Sequence, residues 1–312
     1  MSLGNILITA ADLAPEALEL LSGYNIVYAG KTPSEADIVA LCQEHDPVAI
    51  SVRYSKVGAA AMDAAPSLKV ISKHGSGTDT IDKVAAQARD IEVLAAVGAN
   101  AAAVAEQALT LLLACAKSVP HLNARMHAGH WDKATHKSIE LGGRTIALIG
   151  LGAIGQRFAR MASALGMRVL GFDPYAQQMP EGVERADLET IWREADAISL
   201  HCPLTENNRQ LINADILARC KRGVIIVNTA RGGLIDEAAL LGAVQSGQVH
   251  STGLDSFAVE PMVANHPFQN QPGFILSPHI GGVTGDAYVN MGLGAARNVL
   301  AVIGQTTSEA VS

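Results

Sequence analysis

Three short loops in the second half of the chain carry side chains suited to handling a proton beside a carboxylic acid. Residues 228–233 read NTARGG and follow a strongly apolar stretch. Arg231 stands where the chain would leave its core. Its rigid fork matches a carboxylate, or a carboxylate together with a neighbouring carbonyl oxygen. A surface arginine capping the next helix is the plainer alternative. Residues 255–261, DSFAVEP, bring Glu260, and residues 277–282, SPHIGG, bring His279. Hydride transfer to a ketone needs a proton donor near the carbonyl oxygen, and histidine titrates in a suitable range. A carboxylate bonded to the other ring nitrogen would fix the tautomer and favour the protonated ring, and Glu260 is the candidate. A loop histidine taken alone is more often structural or solvated. The order Arg, Glu, His on successive strand ends beside a dinucleotide turn reverses that balance.

The dinucleotide turn lies in residues 145–173, TIALIGLGAIGQRFARMASALGMRVLGFD. An apolar β-branched run enters Gly150-Leu151-Gly152-Ala153-Ile154-Gly155, leaves through a helix, and returns as a second strand ending on Asp173. A GxGxxG alone is weak evidence, and an ordinary βαβ unit with a glycine turn is the competing account. Strand, helix, second strand and acid in this order make the match specific. Gly150 would allow the tight turn, Gly152 the approach of a pyrophosphate, and Gly155 the close packing of helix on strand. Ala153 and Ile154 open the helix, whose first N–H groups and partial positive charge suit phosphate. Asp173 follows Gly155 by 18 residues, near the ~20 expected of a carboxylate that accepts from a ribose hydroxyl. That carboxylate would repel a 2′-phosphate, and Pro174-Tyr175-Ala176-Gln177 holds no arginine to reverse the preference. NAD is therefore expected rather than NADP.

The first half offers one further constellation. Residues 72–79, SKHGSGTD, follow a strand-like run. The amides of Gly75, Ser76 and Gly77 can form an anion nest for a substrate carboxylate, and a simple left-handed turn explains them equally well. Arg53 and Lys73 would add positive charge to the same rim, although isolated basic residues are more often solvated. Asn100 precedes an alanine-rich helix that it can cap, and it is grouped with the substrate residues. No metal site is expected: His127 and His130 share helical spacing without a carboxylate partner. No GxSxG elbow or reactive-cysteine signature appears.

The elements that must position these residues follow from composition and patterning. At 312 residues the chain suits two ordinary domains. With 49% hydrophobic and 17% charged residues it can build a large core, and with 4% aromatic residues that core rests on Ala, Val, Ile, Leu and Gly. A net charge of −7 without a basic run argues against nucleic acid and acidic membranes. Cys42, Cys115, Cys202 and Cys220 are scattered and read as reduced thiols of a cytoplasmic protein. Neither a signal peptide nor a membrane span is expected, and residues 1–3 are consistent with a cloning remnant.

Strands are predicted at 6–9, 25–28, 48–52, 70–72 and 92–95, with helices at 15–21, 34–44, 58–64 and 81–89. This alternation implies a parallel sheet covered on both faces. Residues 100–129 predict a helix apolar around nearly its whole circumference, interrupted at Pro120, that joins two domains and contributes to a homodimer interface. Strands at 145–149, 168–172, 197–201, 224–228, 250–254 and 274–276 predict a six-stranded dinucleotide fold. A last helix at 286–303 is expected to pack back on the first domain.

GLGAIG with Asp173, NTARGGLIDE, LDSFAVEP and SPHIGG, in this order, resemble the D-isomer-specific 2-hydroxyacid dehydrogenase family. HGSGTDTID, GANAAAVAEQALTLLLA and HCPLTENNRQLIN extend the resemblance over nearly the whole chain. It implies two doubly wound α/β domains: a Rossmann-type cofactor domain at 99–283, and a discontinuous, flavodoxin-like substrate domain at 1–98 and 284–312. It implies that Arg231 orients substrate, His279 is the acid/base and Glu260 tunes it. It further implies that the Gly75–Gly77 turn holds the substrate carboxylate, and that Cys202, Pro203, Thr229, Ala230 and Asp255 line the nicotinamide side. Gly281 is counted with these cofactor residues.

The chain is most similar to the D-3-phosphoglycerate dehydrogenase and hydroxypyruvate reductase branch, where Arg53 and Lys73 stand at substrate-facing basic positions. Lys73 in place of a commoner arginine, His74 and Ser76 in the turn, and Ala103 and Gln107 for commoner Ser and His are departures. The chain stops before the regulatory domain of longer relatives, so feedback by serine is not expected. The predicted activity is NAD(H)-dependent interconversion of a small (R)-2-hydroxy acid, with a polar or anionic tail, and its 2-keto acid. The alternatives are the same chemistry on an apolar-tailed acid, or an NAD-sensing, corepressor-like binding protein.

Overall fold

The computed structural model describes residues 2–309, the side chains of 305–309 excepted. Met1, first of the three residues read as a cloning remnant, and 310–312, at the end of the returning segment, lie outside the described residues. The chain folds as two compact units, one comprising Met1–Asn100 with Val283–Ser312 and the other Ala101–Gly282.

The first unit runs β1 (Asn5–Ile8), α1 (Pro15–Leu20), β2 (Asn25–Tyr28), α2 (Glu35–His45), β3 (Ala49–Val52), α3 (Ala59–Asp63), β4 (Val70–Lys73), α4 (Lys83–Gln87) and β5 (Glu92–Ala95). Its five strands are all parallel, in the order β2-β1-β3-β4-β5. β3 and β4 are buried throughout, as strands covered on both faces must be. α1 starts at Pro15 as the pattern predicts, whereas α2 and α4 start one and two residues late because the polar residue before each acts as a cap. Ser34 and Asp37 form a reciprocal capping box on α2, and Asp82 accepts from the Ala85 amide of α4 at 2.9 Å.

The second unit begins with α5 (Ala101–Lys117) and α6 (Val119–His127). The expected interruption at Pro120 is corrected. The break falls at Ser118, whose φ of 53° is left-handed, and Pro120 sits in the first turn of α6, where its missing N–H costs no helical bond. The two helices meet at 61°. α5 packs on α7, β10 and β11, defined below, and keeps one exposed stripe, Ala102, Glu106 and Thr110, so it is less uniformly buried than its composition implies. Among the described residues no single helix is long and apolar enough to cross a membrane.

There follow β6 (Thr145–Ile149), α7 (Ala153–Ala164), β7 (Arg168–Phe172), β8 (Val183–Arg185), α8 (Leu188–Glu194), β9 (Ala197–Leu200), α9 (Ala214–Arg219), β10 (Val224–Asn228), α10 (Glu237–Gln245), β11 (Val249–Leu254) and β12 (Phe274–Leu276). The parallel sheet has seven strands, ordered β12-β11-β10-β9-β6-β7-β8, where sequence patterning predicts six. The unforeseen strand is β8, a three-residue edge strand in which Val183 alone is buried, too short to show alternation. From β8 inward the order is the doubly wound dinucleotide arrangement with an extra strand at the far edge. The chain returns to the first unit as α11 (Gly285–Glu309), which packs on α1, β3, β4 and β5.

One core cluster of the second unit includes Trp192, 2% exposed, with Leu170, Ile198, Leu200 and Leu217. Trp192→Ala is expected to lower stability by about 3–5 kcal/mol, the usual cost of emptying a buried aromatic site. Urea unfolding reads this directly, and a loss below about 1 kcal/mol would show that the site collapses without a cavity.

Candidate active site

β10 is buried along its length and ends on Asn228, whose side chain turns the chain back on itself. Asn228 Oδ1 accepts from the Ala230 amide at 2.9 Å, and Nδ2 donates to the Arg231 carbonyl at 2.9 Å. Arg231 emerges half-buried from this clamp, with Nη1 donating to the Ala230 carbonyl at 2.9 Å. At the next residue a Cβ on Gly232 would lie 1.9 Å from the Phe257 carbonyl carbon and 2.3 Å from the Ala258 nitrogen. No residue larger than glycine lets the Arg231 loop close on the loop after β11.

That second loop carries Glu260. Its Oε1 accepts from the Phe257 amide at 2.9 Å, and its Oε2 lies 2.6 Å from His279 Nδ1. An ionised carboxylate only accepts, so Nδ1 bears the hydrogen and Nε2 is left to exchange a proton elsewhere. About half of the His279 side chain (49%) is exposed, so the ring is accessible to a small molecule. Its backbone has φ 54°, a left-handed conformation uncommon for residues other than glycine.

Asp255 holds that conformation. It is 2% exposed; Oδ1 accepts from Ser277 Oγ at 2.5 Å and from the Ile280 amide at 3.0 Å, and Oδ2 from the Gly281 amide at 2.7 Å. Gln107 Nε2, from α5, donates to Ser277 Oγ at 3.0 Å. The loop is thus tied on both sides of His279 to one buried carboxylate.

The dinucleotide turn follows β6. A Cβ on Gly150 (φ 99°) would lie 2.6 Å from the His201 carbonyl carbon, and one on Gly155 2.2 Å from the Gly150 carbonyl oxygen. A Cβ on Gly152 meets nothing within 4 Å, so the backbone there is open to an approaching group. Gly152 is the N-cap of the 12-residue helix α7 and has no side chain to satisfy its first N–H groups. Asp173 ends β7's exit: Oδ2 accepts from the Leu151 amide at 2.8 Å and Oδ1 from the Tyr175 amide at 2.9 Å. Each oxygen keeps a lone pair for a hydroxyl.

Thr229, beside Arg231, has a buried Oγ1 with no hydrogen-bond partner among the described residues. A nicotinamide carboxamide carries both the donor and the acceptor that such an orphan lacks. Cys202 and Pro203 follow β9. Burial pushes the Cys202 thiol up to about 11, which leaves it neutral and suited to lining rather than to attack. These residues fit NAD: an uncapped helix start for the pyrophosphate, an acid for the ribose, and an unsatisfied hydroxyl for the carboxamide. Gly281, 2.8 Å by its hypothetical Cβ from Asp255, serves the His279 loop by close approach.

The remaining sequence-predicted residues lie in the first unit. Gly75 (φ 137°) follows β4, and among the described residues the amides of Ser76 and Gly77 donate to no carbonyl. Ser76 Oγ donates to Asn100 Oδ1 at 3.2 Å. Arg53, directly after β3, pairs with Asp12 at 3.2 Å. Lys73 differs from the solvated residue its type suggests: it is buried, and its Nζ donates to the Arg53 carbonyl.

Sequence reasoning gives no role to Asn228 and Ser277, although each opens a motif it singles out; it notes Gln107 only as a departure from the family pattern and passes over Asp12, and both of these are joined to their partners by folding alone.

The family model for the D-isomer specific 2-hydroxyacid dehydrogenase NAD-binding domain matches residues 109–281. The chain is 42% identical over 252 residues to a hydroxypyruvate reductase of Thermotoga maritima, covering 80% of this chain and 82% of that one. It is 38% identical over 317 residues to the D-3-phosphoglycerate dehydrogenase of Mycobacterium tuberculosis, covering all of this chain and 59% of that protein, and so spans little more than half of the latter's length. A crystal structure of a glyoxylate reductase from Paecilomyes thermophila superposes with a TM-score of 0.87 at 29% identity, covering 98% and 97% of the two chains. The chain belongs to the D-isomer specific 2-hydroxyacid dehydrogenases, NAD-dependent oxidoreductases acting on a CH–OH group.

The contact at Gly155 makes the cofactor site testable. Gly155→Ala is expected to weaken NADH binding at least tenfold, about 1.4 kcal/mol, in a fluorescence titration. An unchanged Kd would show that the pyrophosphate does not depend on this turn.

Proposed function

We propose that this chain interconverts a small (R)-2-hydroxy acid and its 2-keto acid with NAD(H), on a substrate whose tail is polar or anionic. The observation that carries the proposal is the Glu260–His279 pair at 2.6 Å, built on a left-handed histidine in the same unit as Arg231 and the dinucleotide turn. NAD(H), when bound, supplies or takes up the hydride at the substrate's C2. His279 Nε2 gives a proton to the carbonyl oxygen in reduction and removes it from the hydroxyl in oxidation. Glu260 keeps Nδ1 protonated and the ring oriented. Arg231 offers its fork to the carboxylate and the reacting oxygen, and the amides of Ser76 and Gly77 bind the carboxylate. Asp173 accepts from the adenosine ribose, while Asp255 keeps the His279 loop in place. The names of the relatives, a hydroxypyruvate reductase and a phosphoglycerate dehydrogenase, support a polar or anionic tail.

We further propose a cytoplasmic homodimer. Four unpaired cysteines suit a reducing compartment. α6 and the turn after it carry Val119, Met126 and Trp131, exposed to 55%, 53% and 74%. Arg125 and Asp132 tie that turn to α6 through a bidentate pair. Apolar side chains on an ordered arm suit burial against a second copy.

His279→Ala is expected to lower turnover by about 10²–10⁴-fold, the scale of a general acid–base group, with NADH binding kept. Near-normal turnover of any 2-keto acid would end the assignment. Trp131→Asp is expected to convert a dimer to a monomer in sedimentation velocity, and a natural chain already monomeric at micromolar concentration would refute the dimer.

A further inference from the structure

In the first unit's sheet the chain leaves β1 toward β2 on one side and later enters β3 on the other, so the loops after β1 and β3 diverge. A doubly wound sheet binds ligands at such a switch point, outside the carboxyl ends of the strands. Asp12 comes from the loop after β1, and Arg53 follows β3. Arg53 Nη1 lies 3.2 Å from Asp12 Oδ1, and the Tyr288 hydroxyl of α11 donates to the same oxygen at 2.8 Å. The guanidinium carbon sits 5.0 Å from the Tyr288 ring centroid and 5.2 Å from that of Tyr54. Arg53 is therefore fixed by one carboxylate and two rings.

At this crevice the charge of Arg53 is offset by a carboxylate, and Lys73 adds one further positive charge from a buried position. Asp12 opposes Arg53, and Lys73 is buried with its ammonium on the Arg53 carbonyl. His74, 6% exposed, has its ring 5.5 Å from that of Tyr288, and neither ring nitrogen has a hydrogen-bond partner among the described residues. Burial first, then the Arg53 charge, holds His74 down to about 4, so it adds no positive charge at neutral pH. Burial and the bond to Asp12 push Tyr288 up to about 12, so it remains a donor.

We propose that this crevice selects the substrate's tail, and that Asp12 and Tyr288 are positioning residues that set Arg53 for a neutral, hydroxyl-bearing tail and against a phosphorylated one. The proposal rests on the hydride-transfer reading above. A hydroxyl can donate to Asp12 and accept from Arg53 at once, satisfying both. A phosphate brought to Arg53 would lie beside the Asp12 carboxylate, where like charges repel. An apolar tail would cover the ion pair without replacing its water.

The test is the ratio of kcat/KM for hydroxypyruvate to that for phosphohydroxypyruvate, with NADH, in the natural chain, Asp12→Asn and Tyr288→Phe. The natural chain is expected to prefer hydroxypyruvate at least tenfold. Asp12→Asn, which removes the charge and keeps the shape, is expected to shift the ratio at least tenfold toward the phosphorylated acid, through KM rather than kcat. Tyr288→Phe is expected to shift it in the same direction by a smaller factor. With no variant needed, D-glycerate is expected to compete with hydroxypyruvate at concentrations at least tenfold below those of 3-phosphoglycerate. A natural preference for phosphohydroxypyruvate or 2-ketoisocaproate, or an unshifted ratio in Asp12→Asn, would overturn the crevice assignment and leave the reaction standing. Reduction of no 2-keto acid by the natural chain would overturn both.

Discussion

His279 stands in a backbone conformation that a side chain of its size rarely takes, and a single buried carboxylate keeps it there. Without Asp255, the amides of Ile280 and Gly281 and the hydroxyl of Ser277 would lose their common acceptor. The loop would then be free to relax φ to the ordinary negative range. The 2.6 Å contact between His279 and Glu260 is made from that conformation. The His279–Glu260 contact is thus supported by the hydrogen bonds beneath it, and Gln107 extends the support into α5.

A second constraint is spatial. The Arg231 and Glu260 loops close on each other at Gly232, where no side-chain atom fits, and the dinucleotide turn closes on itself at Gly150 and Gly155. These contacts remove freedom from the loops before any ligand arrives, which lowers the ordering cost of binding. They also explain why so few polar residues suffice: the arginine leaves a fully buried strand, the loop of the acid is locked against Gly232, and the loop of the histidine is tied to Asp255. Asn228 closes the arginine loop by returning both ends of its amide to the backbone, a satisfied buried polar group rather than a ligand contact.

Much of this was legible in the chain itself, for identifiable reasons. The central strands β3, β6, β9 and β10 are largely apolar runs because helices cover both faces, and such runs announce themselves. β8 does not, since an edge strand with one buried residue leaves no pattern. The break between α5 and α6 falls at Ser118, in a left-handed turn that its type does not advertise, although Pro120 is the conspicuous breaker in the sequence. GLGAIG, Arg231, Glu260 and His279 are legible because turn chemistry and strand ends are local. Asp255's hold on His279 is not, since it spans more than twenty residues and uses backbone amides. The contact between Asp12 and Tyr288, 276 residues apart, leaves no local trace at all.

The same distinction separates the proposed chemistry from the proposed selectivity. The His279–Glu260 pair and Arg231 are built from motifs whose parts lie within one unit, beside a backbone contact at Gly232 that a single added methyl group would break. The Arg53 crevice is assembled from the loop after β1, the exit of β3 and the first turns of α11, joined by hydrogen bonds and ring contacts between side chains. Side-chain contacts tolerate exchange that backbone contacts do not, because replacing Tyr288 or Asp12 requires no backbone shift. A scaffold arranged in this way can hold its reaction constant while its preference for the substrate's tail is set by a few residues at one switch point. In this chain Asp12 sets an opposite charge against Arg53 and Tyr288 holds Asp12 in turn, and the selectivity proposed for the crevice rests on that arrangement.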